Sequence, residues 1–321
     1  MLRAALLPED GLRANAAAAG RGERRAVELV RATLIGFSAV AMWALLALLT
    51  ALSGNVPPFQ LSATAFAIGT LVGLAARAAG LSTPAGRIPR AVWVIGIGGL
   101  FGYHFFYFTA LRNAPAVEAS LIAYLWPLFI VLGSALMPGE RLGWHHVVGA
   151  LLGLSGMVLI VSNGGSIAFD ARYSLGYGAA LVCAFVWSGY SLLSRRFPSV
   201  PTSVVTWFCA GTAVLSALCH LALEETVWPA GWGQWAAVIG LGLMPVGAAF
   251  YAWDYGVKRG NIQVLGALSY AAPLLSTLVL IAAGTAAATP HVLLACLLIT
   301  FGAALAAKNL LFARRAGAAS A

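Results

Sequence analysis

Two short apolar stretches hold the residues best suited to chemistry: Ala119–Ile130, ASLIAYLWPLFI, and Leu265–Ser276, LGALSYAAPLLS. Tyr124 and Pro127 in the first align with Tyr270 and Pro273 in the second. The register extends upstream, where Ala110–Asn113 lies against Gly256–Arg259, and downstream, where Gly156 meets Gly302. Proline lacks an N–H, and its ring collides with the carbonyl four residues back. Pro127 and Pro273 should therefore break their helices and free the carbonyls of Ala123 and Ser269. Two unmet carbonyls deep in hydrocarbon would be costly, and would suit an ammonium group. A packing kink whose carbonyls are met by Ser, Thr or water is the plainer alternative. A helix break copied into the second half of an apolar chain points to the binding site of a carrier.

Aromatic residues are the second signal. Every position from Phe101 to Phe108 except Gly102 and His104 is Phe or Tyr, Tyr103 among them, and Phe250, Tyr251, Trp253 and Tyr255 cluster later. Trp93, Trp144, Trp232 and Trp235 sit at segment ends, where aromatic side chains form an interfacial belt. Trp43, Trp187 and Trp253 lie deeper, where a belt does not account for them. Each alone could be core or lipid contact. Together they could line a slot that stacks a ring and attracts an amine. At about 100° per residue, Tyr124 and Trp126 point apart unless the break rotates the helix. Gln263, Gly266, Tyr270 and Pro273 share one face, so that polar stripe is the favoured wall.

Ionisable groups within apolar spans are functional candidates by default. Here they are His104, Glu118 and Asp254, as coupling or gating groups. Each has a structural alternative: a hydrogen-bonded core histidine, an Arg112–Glu118 pair, and a helical Asp254–Lys258 pair. His145-His146 cannot readily share a metal from one helix face. Cys183, Cys209, Cys219 and Cys296 have no metal-ligand spacing and read as small buried hydrophobes. No phosphate-binding glycine loop is present. Neither a metal nor a cofactor is expected.

These residues must be positioned by membrane helices. Only 9% of residues are charged and mean hydropathy is +0.88, far from a soluble domain with about 25% charged residues. Ten apolar segments of spanning length run over 33–52, 59–79, 91–111, 115–136, 144–162, 173–194, 202–220, 233–256, 261–282 and 290–312. Turn signals such as Pro57-Pro58, Pro138-Gly139 and Asn163-Gly164-Gly165 separate them. With the amino terminus inside, all but Arg112 and Arg172 of the 19 Lys and Arg fall on the cytoplasmic side. The basic balance thus orients the chain in lipid and does not mark a nucleic-acid binder.

The expected fold is all-α integral membrane, with ten transmembrane helices in two inverted five-helix repeats. Residues 1–32 form a cytoplasmic tail with an interfacial helix near its end, 33–165 and 166–313 the repeats, and 314–321 a second cytoplasmic tail. The tail lacks a cleavable signal. Gly69/Gly73, Gly98/Gly102 and Gly149/Gly153 should let helices approach closely.

TALRNAPAVEASLIAYLWPLFIVL and AFYAWDYGVKRGNIQVLGALSYAAPLLS resemble the drug/metabolite transporter superfamily of the EamA type, and within it the YddG-type aromatic amino-acid exporters. The resemblance spans about residues 33–312. It implies export of amino acids, chiefly aromatic, from the inner membrane by alternating access around a central cavity, with no bond made or broken. Other metabolites or hydrophobic drugs are the alternative on the same fold. Sugar phosphates would need Lys or Arg deep in a span, and an intramembrane enzyme would need a nucleophile or paired carboxylates. Neither set is present. The expected partners are an amino acid and the bilayer, with a monomer sufficient; proton coupling stays open.

Overall fold

The computed structural model describes residues 9–83 and 86–309, with no strand among them. Among the described residues, nine helices are long and apolar enough to span a bilayer: α1 Arg24–Leu52, α2 Pro58–Ala78, α3 Arg90–Asn113, α4 Ala116–Leu136, α5 Trp144–Ser162, α6 Ala171–Ser194, α7 Thr202–Leu223, α8 Trp232–Arg259 and α9 Ile262–Ala282. A shorter apolar helix, α10 Pro290–Ala306, follows. The last expected segment extended to residue 312, and its end lies outside the described residues, as do residues 1–8 and the tail 314–321. The helix entering α1 is continuous from Glu9 to Trp43, so the expected tail helix is an extension of the first span.

Local chemistry sets the helix ends. Pro58 and Pro290 begin their helices, where a missing N–H costs nothing. Asn261 and Thr289 accept the N–H groups of Val264 and Val292 and so cap α9 and α10. Asn163 closes α5 in the left-handed conformation at φ 49°. Large apolar side chains such as Leu71, Val94, Phe185, Leu297 and Phe301 face outward, as lipid-facing surfaces require.

Four spans are interrupted. α1 breaks at Ala44–Leu45, α4 at Tyr124–Leu125 and α9 at Ser269–Tyr270, and α8 widens into a π-helical turn over Met244–Ala248. In α4 and α9 the breaks precede Pro127 and Pro273, where ring and carbonyl would clash. The Ser269 carbonyl is not left open: a tightened turn gives it the N–H of Ala272 at 3.1 Å. This corrects the expectation of a free carbonyl at Ser269.

The most extensive packing joins α5 to α10, α3 to α6, α2 to α7 and α1 to α8. Two glycines set the last approach. A Cβ on Gly36 would lie 2.9 Å from the Gly256 Cα, closer than any side chain allows. Gly149 and Gly153 likewise meet Gly302 and Tyr270, and Gly69 meets Gly247. Gly98 faces open space and Gly102 meets Val186, while the tighter α3 contacts fall on Gly96 against Phe208 and Gly99 against Tyr190.

Candidate functional site

The Gly36–Gly256 approach brings the end of the first half of α1 onto α8, and with it Trp43 onto Trp253. Their ring centroids lie 5.1 Å apart. Trp43 also meets Trp187 at 5.7 Å and Trp126 at 6.2 Å, both edge-on, so three helix breaks and α6 contribute to one aromatic cluster. The indole N–H of Trp43 donates to the Pro245 carbonyl at 3.0 Å. The π-helical turn holds that carbonyl, and such turns recur at functional sites.

Three of these rings border a cavity of about 80 Å³ lined by Trp43, Leu46, Tyr103, His104, Tyr124, Trp126, Trp187, Pro245, Val246, Phe250 and Ala272. Ligand pockets for small molecules are usually about 300–1,000 Å³, so in this conformation the cavity is contracted. Five of the expected wall residues, Trp43, Tyr103, Tyr124, Trp126 and Trp187, converge here. Tyr124 and Trp126 both reach it, although helical phase separates them, because the turn at Tyr124–Leu125 resets the phase.

Trp253 does not line the cavity. It is fully buried beneath it, stacked 6.0 Å from Trp187, with its indole N–H on the Ser191 hydroxyl at 3.0 Å. The stripe on α9 is elsewhere. Gly266 packs on Ile130, Val131 and the Pro127 carbonyl, and Tyr270 is buried against Gly153. The Tyr270 hydroxyl accepts the Leu128 N–H, and Gln263 donates to Glu140 Oε2 at 2.9 Å. α9 turns that face toward α4 and α5, so Gln263 and Tyr270 are interhelical contacts. Pro127 and Pro273 act through the backbone and are buried.

The three ionisable candidates separate. His104 lines the cavity and its Nδ1 meets the Leu100 carbonyl at 2.8 Å, which makes Nδ1 the protonated nitrogen, since a carbonyl only accepts. Asp254 is sealed away, 2.9 Å from the Lys258 ammonium and bonded to the Thr202 hydroxyl at 2.8 Å. Glu118 is not paired with Arg112, which instead reaches Glu224 at 2.7 Å. Phe250 joins the wall from the late aromatic cluster, and Leu46, Pro245, Val246 and Ala272 complete it beyond the residues to which the sequence points. Pro245 carried a signal, a third proline inside an apolar run.

Polar clusters tie the bundle together at both ends. At one, Glu140 meets Arg195 and Gln263, while Arg195 also donates to the carbonyls of Val257 at 2.7 Å and Gly260 at 2.9 Å. Val257, Tyr190, Ile262 and Leu265, between this cluster and the cavity, are buried. At the other end Glu224 accepts Arg112 and the N–H groups of Phe59 and Gln60, with His220 beside it at 3.1 Å. On that side Tyr103, Tyr107, Ser120 and Tyr124 are half-buried. Of the expected belt, Trp144 and Trp232 are exposed, Trp93 packs on Phe208, and Trp235 stacks on Trp228.

The profile of the EamA-like transporter family matches residues 30–162 and again residues 174–307. The chain is 57% identical over 288 residues to the aromatic amino acid exporter YddG of Ancylobacter novellus, covering 88% of this chain and 98% of that one. It is 27% identical to the exporter of the same name from Salmonella typhimurium, over 77% of this chain and 86% of the relative. A solved crystal structure, 56% identical, superposes with a TM-score of 0.82 over 86% of this chain and 98% of the other. A bundle of apolar helices, broken where aromatic side chains converge and matched twice by one profile, belongs to the EamA-like transporter family.

Proposed function

We propose that this protein exports amino acids, chiefly aromatic ones, across the inner membrane by alternating access through the tryptophan-walled cavity. One relationship carries the reading: indole and phenol rings from α1, α3, α4 and α6 meet at broken helices, with few charges near them. Such a site favours a planar apolar side chain and rejects sugar phosphates, which need fixed cations. The relatives named as aromatic amino acid exporters point the same way.

The architecture behind it is ten spans in two inverted repeats, 33–165 and 166–313, with both termini cytoplasmic. Three observations favour it. The family profile matches twice. Exchanging α1 for α6, α2 for α7, α3 for α8, α4 for α9 and α5 for α10 leaves the main helix pairings unchanged. Lys and Arg crowd one side. In that orientation Glu140 and Arg195 close the cytoplasmic end, and solute leaves past Tyr103 and Tyr124. The proposed transport unit is a monomer.

Because about 80 Å³ does not hold an aromatic amino acid, loading requires the walls to part. The His104 ring and the hydroxyls of Tyr103 and Tyr124 are the polar groups available to the amino-acid backbone. Efflux of a labelled amino-acid panel from proteoliposomes, with and without a pH gradient, tests the proposal. Transport of phenylalanine, tyrosine and tryptophan above alanine and glutamate is expected. Equal rates for all would remove the aromatic assignment.

A further inference from the structure

A second and larger cavity, about 720 Å³, opens at the Glu140 end of the bundle, away from the tryptophan cluster. Its walls come from the start of α1, with Gly22 just before it, and from the ends of α6 and α8. Gly22, Arg25, Ala26, Glu28, Leu29, Arg31, Arg195, Tyr255 and Arg259 line it, so four guanidinium groups face a single carboxylate. Arg195 is spent on Glu140 and two carbonyls and serves as a fixed inner wall. Arg25, Arg31 and Arg259 have no carboxylate partner among the residues whose side chains are described. Arg259 is held in place by stacking 4.7 Å over the Tyr255 ring.

Position identifies the ligand. Arg31 immediately precedes the buried Ala32 and Thr33, and Arg259 is the last residue of α8, so both sit where apolar helices leave the hydrocarbon. Arg25 lies six residues before Arg31 on the same helix, about 9 Å away at 1.5 Å per residue, a distance that spans the headgroup layer. Ala26 and Leu29 give the pocket an apolar side next to its cations. A phosphodiester beside a glycerol backbone presents the same pairing of anion and apolar stem. Unpaired guanidinium groups suit phosphate because their forked donors match its oxygens.

We propose that this pocket binds the headgroup of an anionic phospholipid, held by Arg25, Arg31 and Arg259. Binding would fasten the start of α1 to the end of α8 at the closed end of the bundle. The site is independent of the exported solute, so loss of the transport reading leaves it standing.

The test uses the full chain purified in an uncharged detergent, with thermal unfolding followed as phosphatidylglycerol, phosphatidylcholine or glycerol 3-phosphate is added. Phosphatidylglycerol should raise the midpoint, while the other two at equal concentration should not. R25Q/R31Q/R259Q should need about tenfold more phosphatidylglycerol, or lose the shift. R77Q/R87Q/R90Q removes the same charge from the same end and should keep it. If the first triple variant does not fold, R25Q/R31Q, confined to the first turns of α1, reads the same loss. Equal stabilisation by phosphatidylcholine would overturn the proposal, as would an equal effect of glycerol 3-phosphate. A matching loss in both triple variants would reduce it to general charge attraction and also overturn it.

Discussion

The Tyr270 hydroxyl accepts the backbone N–H of Leu128 at 3.2 Å. Leu128 follows Pro127, and the break at Tyr124–Leu125 denies its N–H the helical acceptor it would otherwise have. One broken helix is therefore satisfied by the tyrosine that marks the break in the other. The aligned tyrosines have parted in role: Tyr124 faces the cavity and Tyr270 serves the backbone.

Tyr270→Phe should cost about 1–3 kcal/mol of stability, the penalty of a buried unpaired N–H. The cavity wall is untouched, so KM for a transported amino acid should stay unchanged per folded molecule. Thermal unfolding and proteoliposome efflux separate the two effects. A large rise in KM with normal unfolding would return Tyr270 to the solute site.

Trp187→Ala removes a ring that meets Trp43, Tyr103 and Trp253. Aromatic pairs are worth about 0.5–1.5 kcal/mol each, so losing such contacts to a bound ring should raise KM for phenylalanine about tenfold or more. Alanine transport, measured in the same vesicles, should change less. Parallel losses for both solutes would argue against ring stacking.

Gly36→Ala introduces a Cβ where the Gly256 Cα already stands. Overpacking of this kind costs about 1–3 kcal/mol, and relief would push α1 from α8 and part Trp43 from Trp253. Lower thermal stability and altered tryptophan fluorescence are expected together. Wild-type values for both would mean that the helices are not pinned there.

Glu140→Gln removes the carboxylate that Arg195 and Gln263 share. Loosening this end should speed amide hydrogen exchange over residues 257–268, which Arg195 and Gln263 anchor. Exchange around Glu224, at the far end, should not change. Unaltered exchange at both ends would show that the cluster does not hold the bundle closed.

Asp254→Asn leaves the Lys258 ammonium buried without a counter-charge, with only neutral acceptors such as the Val200 carbonyl at 3.1 Å. Breaking a buried pair costs about 3–5 kcal/mol, so expression and unfolding midpoint should fall. The pH profile of efflux by the folded fraction should keep its shape. A flattened profile would make Asp254 a proton carrier after all.

What the chain alone determined was local. Composition required lipid as solvent, segment length placed the helices, and Pro127 and Pro273 located two of the breaks, because a missing N–H and a ring clash act within one turn. The aromatic content of the cavity was also legible, since few other duties exist for Trp43 and Trp187 so deep in a span. Only the tertiary structure decided which rings meet. Helical phase cannot be carried across a break, so Trp126 joined Tyr124 against the periodic expectation, and Tyr270 turned to Leu128. Arg112 bypassed the nearby Glu118 for Glu224 because partners in space depend on where distant helices end. The glycine contact between α1 and α8 set that geometry, and its two halves lie far apart in the chain.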